Sequence, residues 1–343
     1  MIRRALYFLG PHRVEVREEE MSEPGSGQVV VESLVSAISA GSELMVYTGA
    51  VHDTMAVDRT IPALAGHHFT FPLKYGYSAA GRVTQLGSDV QESWQGRHVF
   101  SFQPHQSHFI ANTSDLFPLP EGFTPDQAVF LPNLETAVNL VMDGRPLIGE
   151  TVVVFGQGMV GLLTTALLSR FPLERLLTLD PYPRRREQSR KLGAHESLDP
   201  TSPKTPSHLT DSLATSEGAD LVYELTGNPG ALNMAIDACG FSSRIVVGSW
   251  YGRNEAGIDL GGKFHRERIE LVSSQVSSLT PELTGRWSKA RRFELVWGWL
   301  REIDPVHLIT RRFPLERAGE AYRLLHEDPS QDLQVVFIYL NAA

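Results

Sequence analysis

Gly156-Gln157-Gly158-Met159-Val160-Gly161 sets three glycines at G-x-G-x-x-G spacing. The apolar run Thr151 to Phe155 comes before it, and an apolar stretch, GMVGLLTTALLSRF, continues from it. A strand, a tight turn and a helix in that order bind a dinucleotide. Gly156 permits the turn, Gly158 admits a pyrophosphate close to the backbone, and Gly161 allows the helix to pack near the strand. Met159 and Val160 fall at the helix N-terminus, where unpaired N–H groups and the positive dipole end favour phosphate. The next apolar run, LLTLD, ends on Asp180. A carboxylate there takes the ribose hydroxyls, which selects NAD. Arg184, Arg185 and Arg186 follow; they read as a solvated helix start, with binding of a 2′-phosphate the alternative, and Arg185 is the one counted with the cofactor site. Glu224-Leu225-Thr226-Gly227 and Gly248-Ser249-Trp250 each close a later apolar run. Open parallel sheets bind ligands at such strand ends, so Thr226, Gly248 and Ser249 join the cofactor candidates.

The elements that must position these residues fall into three stretches. Residues 1–137 carry short β-branched runs, among them QVVVES, GRHVFSF and HFIAN, with Gly and Pro between them. They read as a mostly β domain. Residues 138–277 alternate apolar strands with helices, the signature of a doubly wound parallel sheet. In this stretch PTSPKTPSH (200–208) reads as a surface loop, and Cys239 falls in the helical pattern ALNMAIDACG. Residues 278–343 return as helices and a closing strand, LQVVFIYL, that complete the first domain. Residues 269–276 read as the last strand of the parallel sheet. Proteins normally cover such an open β-branched edge, so a homodimer is expected through it.

Composition narrows the classes. A chain of 343 residues with 42% hydrophobic and 21% charged residues fits two globular domains. Nothing approaches 18 consecutive apolar residues, and the N-terminal MIRRALYFLGPHRVEV lacks an apolar core of signal length. No membrane span is expected, and the location expected is cytoplasmic. The net charge of −9 argues against nucleic acid as a partner and leaves a small-molecule substrate. The single cysteine, Cys239, excludes an intrachain disulfide and a four-cysteine zinc site; it reads as a packed small hydrophobe.

In order, AISAGSELMVYTG, KYGYSAAGRVTQLG, LETAVNLV, GETVVVFGQGMVGLL and DLVYELTGNPGAL resemble the zinc-type medium-chain dehydrogenase/reductase superfamily over nearly the whole chain. The resemblance implies a GroES-like catalytic domain beside a Rossmann domain, the latter pairing edge to edge with a second subunit. FHRERIELVSSQV and the stretch from Arg286-Trp287 to Arg291-Arg292 resemble the branch that holds the bacteriochlorophyllide dehydrogenases.

The departures from that pattern carry chemistry. Ala40 stands where the superfamily has its first zinc-ligating Cys. Gly76-Tyr77-Ser78 replaces Gly-His-Glu, and the third ligand position falls at Pro132 or Asn133. Gly66-His67-His68 imitates the motif ten residues too early, and adjacent extended histidines point apart. No metal is therefore expected. Without one, hydrogen-bond donors must stabilise the substrate oxygen. Ser42, Glu43 and Tyr77 occupy the vacated shell by position, Tyr77 being the best donor, with Lys74 close enough in sequence to lower its pKa. Gln103, His105 and Gln106 lie on the loop that the resemblance brings past the substrate pocket. Glu135, at the hinge into the second domain, has two roles open to it, a base or a structural cap. The expected activity is a zinc-independent, NAD(H)-dependent interconversion of a secondary alcohol and a ketone in a polar biosynthetic metabolite. An NADPH-dependent ene or quinone reductase and a non-catalytic dinucleotide-binding protein are the alternatives.

Overall fold

Val29, Val30 and Val31 run in sequence through the longest strand of the N-terminal stretch, and all three are buried. Burial on both faces suits a strand with neighbours on either side. The computed structural model describes residues 1–339. Along the chain come β1 (Ile2–Gly10), β2 (Arg13–Glu20), β3 (Gln28–Ala37) and α1 (Ala40–Thr48). Then follow β4 (Ala79–Leu86), β5 (His98–Ser101), β6 (His108–Asn112), β7 (Phe117–Pro118) and α2 (Pro125–Ala128). β1 and β2 form a separate antiparallel hairpin. β3 pairs antiparallel with β4 and β6, and Val29, Val31, Val83, Val99 and Phe109 pack as one core.

α3 (Leu131–Gly144) leads into a second unit that starts at Asn133. There β8 (Thr151–Phe155), α4 (Met159–Leu168), β9 (Arg175–Leu179), α5 (Pro183–Lys191) and β10 (Glu196–Leu198) alternate. α6 (Thr205–Ser212), β11 (Ala219–Glu224), α7 (Ala231–Ala238), β12 (Cys239–Val247), α8 (Lys263–Arg266) and β13 (Glu270–Ser273) complete it. The six strands are parallel in the order β10-β9-β8-β11-β12-β13. The winding direction reverses between β8 and β11, the position at whose carboxyl ends open α/β sheets bind their ligands. α9 (Lys289–Ile303) carries the chain back, the first unit resuming at Trp297. β14 (Ile309–Pro314), α10 (Ala318–Glu327) and β15 (Gln334–Ile338) follow, and β15 pairs with β3 to extend the first sheet.

This is the GroES-like plus Rossmann architecture that the resemblance implies, with local differences. The unit boundaries fall at 132/133 and 296/297, inside helices, rather than at 137/138 and 277/278. The Pro-rich 200–208 segment is not wholly loop: Thr205-Pro206 opens α6, with Pro206 in the first turn, where a missing N–H costs nothing. Cys239 is not inside a helix: it follows the last residue of α7 as its C-cap and begins β12, fully buried, and burial pushes its thiol up to about 11. The edge strand covers only Glu270–Ser273 of the expected 269–276. β14 has no counterpart in the sequence reading. Among the described residues no helix is long and apolar enough to cross a membrane.

Candidate active site

β3 ends at Ala37, and two residues later Ser39 stands at the N-cap of α1. The first turn of α1 carries Ser42 and Glu43. The segment Tyr75–Ser78 meets this turn as it enters β4. The Tyr77 hydroxyl donates to Ser39 Oγ and lies 3.1 Å from Ser42 Oγ. Tyr77 is half-buried. Burial pushes its phenol above the ordinary 10.0, against the pull of the two serine bonds and with a push from Glu43. The expectation that Lys74 lowers this pKa is corrected: Lys74 Nζ sits 3.2 Å from Glu19 Oε2, over the Tyr7 ring.

Glu43 and His105 have no exposed surface. Glu43 Oε1 accepts the Ser39 N–H at 2.7 Å, and Oε2 lies 2.9 Å from His105 Nε2. The Tyr322 hydroxyl, from α10, also donates to Oε2. Burial and this carboxylate hold the Tyr322 phenol well above its usual range. On its other side His105 Nδ1 meets Ser36 Oγ at 2.7 Å, and Ser36 Oγ meets the Tyr339 hydroxyl at 2.6 Å. The sequence reading set Ser42, Glu43 and Tyr77 in one group and Gln103, His105 and Gln106 in another; the structure joins His105 to the first group and adds Ser36, Ser39, Tyr322 and Tyr339. Gln106 is buried and donates to Gln103 Oε1 at 3.2 Å. Glu135 does not join this group: in the second unit it takes two bonds from the buried guanidinium of Arg292, one of 3.1 Å from Nε. Arg292 Nη1 also donates to Asn139 Oδ1 at 2.5 Å. Even so, burial raises the Glu135 carboxyl above its usual range, outweighing the Arg292 charge.

The second unit holds the nucleotide candidates. Gly156, at φ +89°, turns the chain out of β8, and Gly158 begins α4 without a side-chain cap. An ideal Cβ on Gly158 meets nothing within 4 Å, whereas one on Gly156 meets the Leu225 carbonyl oxygen at 2.6 Å. The partly exposed Met159 and Val160 follow at the helix start, where the first N–H groups of a helix lack internal acceptors. Asp180 stands just past β9, and only 2% of it is exposed. Its Oδ2 accepts the Gln157 N–H at 2.8 Å, and Oδ1 accepts the Tyr182 N–H at 2.9 Å. Arg185 Nη1 is 3.7 Å from Oδ2, with its guanidinium over the Tyr182 ring. Arg186 donates to the carbonyls of Asp180 and Pro181. These two arginines are therefore turned onto the strand end rather than solvated.

At the neighbouring strand ends, Ser249 Oγ accepts the Gly227 N–H at 2.8 Å and donates to the Glu224 carbonyl at 3.3 Å. The buried Glu224 carboxylate accepts the Thr226 N–H at 2.8 Å and the Tyr251 hydroxyl. Burial, then this bond, drives the Tyr251 phenol upward. A Cβ on Gly248 would meet Leu140 and Leu225 at 2.6 Å. The open cradle at Gly158 and the capless helix start fit a dinucleotide pyrophosphate, with Asp180 at the ribose position.

Zinc fares differently. Ala40 opens α1, Tyr77 is held by serines, and Asn133 is buried on α3. Among the described residues no three His, Cys, Asp or Glu side chains are grouped to hold a metal. His67 and His68 are exposed, and the His67 carbonyl accepts the Val57 N–H at 2.9 Å. Methyl, phenol and carboxamide groups in the superfamily's ligand positions do not fit a tetrahedral zinc.

Residues 160–293 match the model of a family described as zinc-binding dehydrogenase. Over that segment the chain is similar to the zinc-binding dehydrogenase family. D-guloside 3-dehydrogenase of Escherichia coli K12 is 26% identical over 242 residues, covering 67% of this chain and 69% of the relative. The E. coli CFT073 alcohol dehydrogenase RspB, solved with NADH, superposes with a TM-score of 0.77 at 18% identity, covering 98% and 99% of the two chains. L-Idonate 5-dehydrogenase of E. coli K-12 gives 0.77 at 18% identity, with 99% of each chain covered. The structural likenesses establish the medium-chain dehydrogenase fold.

Proposed function

We propose that this chain is an NAD(H)-dependent oxidoreductase that interconverts a secondary alcohol and a ketone, on a polar carbohydrate-like substrate, without zinc. The observation that carries the reading is the cluster of Tyr77, Ser39 and Ser42 hydroxyls; the resemblance gives Ala40 and Tyr77 as two of the superfamily's zinc-ligand positions. Gly158 and Asp180 would hold a nicotinamide dinucleotide, which would supply or accept the hydride of the alcohol–ketone interconversion. Tyr77 holds the substrate oxygen: its phenol, kept protonated by burial, donates to a carbonyl and gives up the proton as the alkoxide forms. Solvent replaces that proton. Ser39 and Ser42 fix the phenol's direction.

Asp180 supports NAD over NADP, since a 2′-phosphate would meet its carboxylate. The printed names of the guloside and idonate relatives support a ring or chain secondary alcohol as substrate. The proposal extends to a homodimer through edge strand β13, where Leu271 is 42% exposed, in a cytoplasmic setting. Light scattering at micromolar concentration tests the first and cell fractionation the second.

The decisive experiment follows NADH oxidation with keto-sugars after exhaustive dialysis against EDTA, with metal analysis of the same sample. Unchanged turnover at negligible zinc is expected. Stoichiometric zinc, or turnover lost with EDTA and restored by zinc, overturns the zinc-free chemistry.

A further inference from the structure

Glu43 and His105 are wholly buried, so neither touches substrate, yet both lie directly behind residues that do in the reading above. We infer that they form a positioning pair, fastening together the two backbone segments that present Ser39 and Tyr77. The inference rests on the assignment of Tyr77 as donor.

One end of the pair ties down residue 39. The N–H of an N-cap residue has no partner inside its own helix, and here Glu43 Oε1 takes it at 2.7 Å. The other end supports residue 76. An ideal Cβ on Gly76 would lie 2.7 Å from His105 Cδ2 and Nε2, so the backbone runs flat against the imidazole. Gly76 also has φ +110°, a region that side chains rarely adopt. Tyr77 is the next residue. The pair is in turn anchored to α10 through Tyr322 and to the end of β3 through Ser36.

The donor count explains why an apolar cluster would not serve. Three polar groups converge on Glu43: the donating Ser39 N–H and Tyr322 hydroxyl, and His105 Nε2 at 2.9 Å. Removing the acceptor leaves buried donors unmatched, and such networks hold as units. Shifts of an ångström at the donor are enough to lose turnover.

Glu43→Gln swaps one acceptor oxygen for an N–H₂ facing those donors. It should lower turnover about 10- to 100-fold, as loss of a group supporting a catalytic residue does, with NADH affinity within about twofold. In a Tyr77→Phe background the same change should have almost no further effect, because both act through one group. Tyr322→Phe, which removes one donor and touches neither loop, should show the same pattern at under about tenfold, and it carries the test if Glu43→Gln does not fold. Hydrogen exchange should accelerate at the amides of Ser39 and residues 76–78 in Glu43→Gln. Additive losses in the Tyr77→Phe background, or unaltered exchange at Ser39, overturn the proposal. A fully active Tyr77→Phe would sink the donor assignment instead, and exchange alone then judges the pair.

Discussion

The carbonyl oxygen of Gly156 stands where a side chain at residue 161 would begin: an ideal Cβ on Gly161 meets it at 2.0 Å. Gly158, between them, has open space around the same position and φ of −66°, which any residue adopts. The two glycines therefore make opposite predictions. Gly161→Ala must push α4 off β8, lowering the unfolding midpoint together with NADH affinity. Gly158→Ala should fold with an unchanged midpoint and lose NADH affinity by about tenfold or more, since its methyl stands where a pyrophosphate approaches. Thermal melts and fluorescence titrations with NADH separate the two. Equal behaviour of the variants would remove the pyrophosphate from this turn.

Asp180 holds the turn and sets the sign of the ribose site. Its carboxylate accepts N–H groups from Gln157 and Tyr182 and attracts Arg185. In Asp180→Ala the repulsion toward a 2′-phosphate, on the order of several kcal/mol, disappears, and Arg185 is released. NADH affinity should fall, and the NADH-over-NADPH preference should shrink or reverse. Titration of both cofactors against both proteins reads this directly. A parent protein that already binds NADPH more tightly would refute it.

The nucleotide half was legible because its information is local: three glycines, a strand before, a helix after and an acid at the next strand end. The buried network behind Tyr77 was not. Glu43 and His105 are 62 residues apart, and Glu43 and Tyr322 are 279 apart, joined by sheet closure that no spacing encodes. Position in the family pattern picked out Glu43 and His105 as polar groups near the site, and nothing in the sequence says that they are buried. The Lys74 expectation failed for the same reason, since Glu19 on β2 competes for it. β14 and the start of α6 were missed where tertiary pairing and a proline-opened helix outweighed local composition.

Glu135 and Arg292 make a stability prediction that also decides between roles. Both are buried, and the guanidinium reaches Asn139 and the Val276 carbonyl as well. Glu135→Gln leaves a buried cation unmatched and should cost about 3–5 kcal/mol. Replacing both partners, Glu135→Leu with Arg292→Met, should recover most of the loss. Denaturant melts of the three variants check this. If the double variant is stable but inactive while NADH still binds, Glu135 is a base rather than a structural partner.

Tyr77 gives the sharpest chemical prediction. Removing one donor aimed at a developing oxyanion costs about 2.7–4 kcal/mol, or roughly 10² to 10³ in turnover, and Tyr77→Phe should lose that much. NADH affinity should be nearly unchanged, since the Asp180 and Gly158 contacts lie in the other unit. Burial raises the phenol above its ordinary 10.0, so the donor form predominates through neutral pH. The ratio of parent to Tyr77→Phe turnover should therefore stay constant from about pH 6 to about pH 8, unlike that of a group ionising near neutrality. Steady-state ketone reduction across that range gives the ratio directly. A ratio that changes with a midpoint near pH 7 would mean that the phenolate is the working form, and full activity of Tyr77→Phe would mean that another group holds the substrate oxygen.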